Sequence, residues 1–155
     1  MMDLVEITQK LWAREHLPIL NGLLLADGRY FAVGHDVPES DVLTITPQIL
    51  NVDPDYDYSA AVTLAETAWD NGMIYCGEGS FGGDGFVMVV SGNGDMRWLF
   101  MHEHANPFVN LQIENDMLYI QNNCLVTWRF SLKNPLDMSV DLTTGINWQP
   151  TANPD

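Results

Sequence analysis

Positive charge is what this sequence has least of. Six Lys and Arg stand against 21 Asp and Glu, a formal net charge of −15 at pH 7 and a pI near 4.2. Such a surface repels nucleic-acid phosphates and anionic membranes and attracts basic partners. Cysteine is nearly absent. Cys76 and Cys124 have no CxxC spacing and read as two buried free thiols in a reducing cytosol. Long apolar runs are missing too. The longest, from Leu17 to Ala26, is broken by Pro18, Asn21 and Gly22, well short of the roughly 20 residues a bilayer span needs. Met1-Met2-Asp3 carries no basic segment and no apolar stretch directly after it, so no signal peptide is expected and the location is read as cytoplasmic.

Catalytic signatures are missing as well. Ser80, in Gly79-Ser80-Phe81-Gly82, lacks the flanks of a nucleophile elbow. The glycine-rich stretch from Gly77 to Gly85 has no Gly-Lys-Ser/Thr after it, and its acids Glu78 and Asp84 oppose an anion, so it is not a phosphate loop. The chain is expected not to be an enzyme and to need no cofactor.

What is present argues for architecture. The 155 residues suit one domain with a sizeable core. Hydrophobic residues make up 46% and aromatics 10%, with five Trp, which fits a β-rich chain. Pro18-x-x-Asn21 followed by Asp27-x-x-Tyr30 recurs 89 residues later as Pro107-x-x-Asn110 followed by Asp116-x-x-Tyr119. Midway, Asn71-Gly72-Met73-Ile74-Tyr75 is again a turn leading into a strand with a tyrosine. Tyr30, Tyr75 and Tyr119 lie 45 and 44 residues apart, a period typical of propeller blades and related repeats. The fold class expected is all-β and antiparallel, with about three blade-like units near residues 4–46, 60–101 and 102–142. A sheet of three or four strands cannot bury its faces alone, so the units must pack together.

The local signals agree in most places. Leu23–Leu25 and Arg29–Val33 form a hairpin across Asp27-Gly28. Alternating or apolar runs mark strands over 42–46, 62–64, 73–77, 96–101, 108–113, 117–121 and 125–132, with an edge strand over 138–142. Phe86–Val90 is apolar throughout and reads as a central buried strand. Asn115-Asp116 and Asn122-Asn123 are turns that tolerate left-handed backbone. Residues 36–41 read as a polar turn, 47–59 as a surface loop and 151–155 as a fraying end. Asp3–His16 fits helix or strand. Aligning Trp12 with Trp98 favours a strand near residues 9–14.

Residues 71–77, 85–90 and 94–98, ending in Gly94-x-x-x-Trp98, resemble one blade of a quinoprotein-type propeller. Propellers need four blades or more. Three units leave an open stack, a sandwich built from the units, or a homodimer completing six blades. The quinone cofactor is not carried over, because no ligand set for it is present. In size, acidity and lack of catalytic motifs, the chain is also similar in kind to bacterial immunity proteins, which neutralise secreted toxins. That resemblance implies a non-enzymatic inhibitor binding a basic toxin or nuclease.

The contact residues expected for such a partner are Asp53, Asp55, Tyr56, Asp57 and Tyr58, with Glu78 and Asp84 of the glycine-rich loop. An aromatic ring among carboxylates meets a basic partner by stacking and by charge. Asp53, Asp55 and Asp57 also match the opening of a calcium loop, but its sixth and twelfth positions hold Tyr58 and Leu64 instead of Gly and Glu. His102-Glu103-His104 offers two imidazoles without a third ligand, so no metal site is assigned. Two other roles stay open: a small-ligand or calcium-binding β-module, and a scaffold subunit. The five Trp are expected mainly in the core, with Trp148 the most exposed.

Overall fold

The computed structural model describes residues 3–35 and 42–141. The polar turn over 36–41, the end of the last expected strand, Trp148 and the fraying terminus lie outside them. The described chain is mostly antiparallel β, in three sheets of which none is closed. Among the described residues no helix is long and apolar enough to cross a membrane.

One helix, α1 (Leu4–Trp12), comes first. This corrects the strand expected near residues 9–14. Asp3 caps the helix, its carboxylate accepting the Glu6 N–H at 2.8 Å. Asp3-x-x-Glu6 is a capping signature, and it outweighs the alternation of Val5 to Thr8. Ile7, Thr8 and Leu11 turn inward. Gln9 accepts the Met96 N–H at 2.8 Å and pins the helix to the sheet below.

The large sheet has seven strands: β2 (Gly22–Leu25), β3 (Tyr30–His35), β4 (Leu43–Gln48), β6 (Val62–Trp69), β7 (Gly72–Glu78), β8 (Gly85–Val90) and β9 (Met96–His102). Their order is β4-β3-β2-β9-β8-β7-β6. A smaller meander holds β10 (Phe108–Glu114), β11 (Met117–Asn122), β12 (Thr127–Ser131) and β13 (Met138–Asp141). The third sheet is a short ribbon of β1 (His16–Pro18) with β5 (Tyr58–Ala60). Segments 4–46 and 60–101 thus join edge to edge through β2 and β9, while segment 102–142 supplies the meander.

The large sheet and the meander pack face to face, and the chain's aromatic core lies between them. Phe100 of β9 meets Trp128 and Phe130 of β12, each at 5.1 Å between ring centroids. Strand alternation sends Val87 and Val89 into this layer and Phe86, Met88 and Val90 to the opposite face, under α1 and the ribbon. β8 is therefore buried at every position, as its unbroken apolar run predicts. Trp12 of α1 packs on Tyr75 and Phe86 there. Of the tryptophans, Trp98 and Trp128 are buried, whereas Trp12 and Trp69 are half-buried.

The three repeated hairpin turns share a physical basis. Asp70-Asn71 and Asn115-Asp116 both carry positive φ at two successive residues, and Gly28 supplies it after Asp27. At Asn122-Asn123 the backbone differs from expectation. Leu125 takes the positive φ, and the Asn122 side chain accepts the N–H groups of Cys124 and Val126.

Candidate functional site

The acidic loop is shaped by its own carboxylates. The Asp53 carbonyl accepts from Tyr56 and Asp57 N–H groups at 3.1 and 2.7 Å. Asp53 Oδ1 accepts the Asp55 N–H, and Asp57 Oδ2 accepts the Asp53 N–H, both at 2.9 Å. Ile19 donates to the Asp57 carbonyl and docks the loop beside β1. Asp53, Asp55 and Asp57 are exposed, and none is ion-paired with Lys or Arg among the described residues. Tyr56 is 80% exposed and Tyr58 40%, the latter with its ring against His16.

Tyr58 opens β5, and β5 is hydrogen-bonded to the glycine-rich loop that follows β7. The Ser59 and Ser80 hydroxyls lie 2.8 Å apart, the Ser80 N–H donates to Ser59 Oγ at 2.8 Å, and the Ala60 N–H donates to Ser80 Oγ. Two stretches that sequence spacing leaves separate are thereby stitched together. Tyr58 and Phe81 each stand one residue from the bonded serines. Phe81 is 63% exposed, and Val62 and Leu64 on the edge strand β6 are exposed nearby in sequence.

Asp84 is a correction. It was expected at the surface as a contact, but it is 1% exposed. Its Oδ1 accepts the Gly79 N–H at 3.2 Å, and its Oδ2 is buried without a hydrogen-bond partner among the described residues. A Cβ on Gly79 would stand 2.0 Å from that oxygen and 2.7 Å from Ser59 Oγ, so only glycine lets the loop close over the carboxylate. Asp84 is thus a positioning residue beneath the loop. Glu78, half-buried at the end of β7 and outside every ion pair among the described residues, remains on the rim.

Sequence reasoning missed Phe81. The available signal was an aromatic flanked by glycines and serine at a loop tip, where nothing of its size can be buried. It also assigned both cysteines to the interior. Cys76 is buried and its thiol is pushed up to about 12 by burial, but Cys124 is exposed. The His102 ring sits at the end of β9, with Nε2 bonded to the Val33 carbonyl and Nδ1 accepting the His104 N–H. Both its nitrogens are therefore in structural use. Among the described residues no group of three His, Cys, Asp or Glu is placed to hold a metal.

An antiparallel β-sandwich with a helix-and-ribbon cover, presenting one acidic aromatic edge, is the class that fold and site define. Comparison with protein-family models, curated proteins and solved structures finds no match to this chain.

Proposed function

We propose that this protein is a non-enzymatic inhibitor of the immunity-protein kind, which captures a basic toxin or nuclease on the edge formed by the acidic and glycine-rich loops. The observation that carries this reading is the Ser59–Ser80 junction. It joins the segment of exposed Tyr56 and Tyr58, with Asp53, Asp55 and Asp57 outside every ion pair among the described residues, to the loop that carries exposed Phe81 and follows Glu78. Aromatic anchors ringed by charge are the composition of a binding hot spot. The net charge of −15 steers a cationic partner to it and speeds encounter. In this reading the three units of about 45 residues are blade-like and form a scaffold, and the Asp53–Tyr58 loop and the glycine-rich loop carry the function.

The test is comparative capture from lysate of the source organism at low salt, eluted by a salt step. The wild type is run beside a variant carrying Asp53→Asn, Asp55→Asn, Asp57→Asn and Tyr56→Ala. One stoichiometric basic protein, retained by the wild type and lost by the variant, is the expected result. An empty salt eluate, or the same partner on both, overturns the proposal.

A further inference from the structure

A second site is a groove whose lining shares no residue with the proposed protein-binding edge. Where the β3–β4 pair meets the start of α1, a groove of about 720 Å³ opens to the surface. Drug-sized ligands occupy clefts of roughly 300–1,000 Å³. Its walls are apolar: Leu4 from the helix, Phe31 from β3, and Pro47, Ile49 and Leu50 from β4 and the chain beyond it. Ile49 is 90% exposed, so its side chain is open to a ligand that lies in the groove.

Among the described residues lining this groove, which also include Gln48 and Tyr30, the one charged side chain is a cation. Arg29 lines it, with its guanidinium over the Phe31 ring at 5.8 Å. Asp27 accepts the Arg29 Nε–H at 2.8 Å and the Arg29 backbone N–H at 3.1 Å, and no carboxylate among the described residues lines the groove. In a chain with six Lys and Arg against 21 acids, a cation placed on the wall of an apolar groove is a local exception to the surrounding charge. The guanidinium lies over the Phe31 ring, and Asp27 holds it at Nε. Among the described residues the terminal nitrogens have no carboxylate partner, so they can receive two oxygens of an anion in fork geometry.

We propose that this groove binds a small amphipathic anion: an apolar or aromatic body carrying one carboxylate or sulfonate. The body lies against Phe31, Pro47, Ile49 and Leu50, and the anionic head meets Arg29. The site is independent of the acidic edge and stands whether or not that edge binds a protein.

The experiment uses two dyes sharing one aromatic body, anilinonaphthalenesulfonate and the uncharged N-phenylnaphthylamine, titrated by fluorescence into the folded chain. Saturable binding of one sulfonate dye per chain is expected. Arg29→Gln should weaken the sulfonate dye about tenfold, the worth of one charge-assisted contact, while moving the uncharged dye less than about twofold. Ile49→Glu should abolish binding of both. Both positions are exposed, so circular dichroism and the melting temperature should match wild type in each variant. Absence of saturable dye binding overturns the proposal. So does binding indifferent to Ile49→Glu, or a loss on Arg29→Gln that is equal for the two dyes.

Discussion

Ser59 and Ser80 hydrogen-bond to each other twice, hydroxyl to hydroxyl and backbone N–H to hydroxyl, both at 2.8 Å. They come from β5 and from the glycine-rich loop, 21 residues apart. Ser59 is 2% exposed, so its hydroxyl depends on these protein partners, whereas Ser80 is exposed. Ser59→Ala leaves the Ser80 N–H without its acceptor and should cost about 1–2 kcal/mol. Amide exchange should quicken at Ser80 and Ala60 while β8 keeps its protection. Equal acceleration across the large sheet would mean that the junction supports the whole fold and not the loop pair.

Asp84 carries a buried oxygen with no partner among the described residues. Burying a charge without full hydrogen bonding is costly. Asp84→Asn keeps an acceptor for the Gly79 N–H and removes the charge. The melting temperature should hold or rise, with a gain on the order of 1 kcal/mol. A fall of similar size would show that Oδ2 has a partner the fold depends on.

The two thiols should separate cleanly by reagent. Cys76 is fully buried, donates toward the Phe108 carbonyl, and is held near 12 by burial. Cys124 is exposed. Thiolate is the reactive form. An aromatic disulfide reagent at pH 8 should therefore titrate one thiol in the native chain and two in guanidinium. Two fast thiols in the native chain would contradict the placement of Cys76.

Asp116 joins the two sheets at one end. The Trp69 indole N–H donates to it at 3.2 Å, and Lys133 lies 3.3 Å away. Together these hold its carboxyl below the ordinary range. The folded state therefore binds this proton more weakly than the unfolded chain does. The resulting stability is present above the usual carboxylate value of about 4 and is lost as pH falls through the lower folded value. Asp116→Asn should melt below wild type at pH 7, and the gap should close as pH drops below 4. A constant gap at all pH values would contradict this assignment.

Much of the fold was legible in these residues, and the exceptions have physical causes. Asp27-Gly28 and Asn115-Asp116 announce their hairpins because few residues tolerate positive φ. The apolar run of β8 announces a strand covered on both faces. What spacing could not show is which strands become neighbours. The β2–β9 pairing joins residues as much as 79 positions apart, from Gly22 to Met101, and depends on packing that no local pattern encodes. The helix hides in the sequence because Val5 to Thr8 also alternate and Trp12 aligns with Trp98, and only the Asp3 cap breaks the tie. At the site, the three aspartates and two tyrosines were readable as a polar loop. Asp84 was not readable as buried, because its burial follows from Gly79 lying across it.

The central claim is that the acidic and glycine-rich loops together form a protein-binding edge. Hydrogen-exchange mass spectrometry on the chain alone, and on its salt-eluted complex, tests it most directly. The account predicts slowed exchange over residues 53–60 and 79–84, with β4 and β13 unchanged. Protection confined to other strands, with both loops exchanging as in the free chain, would contradict it.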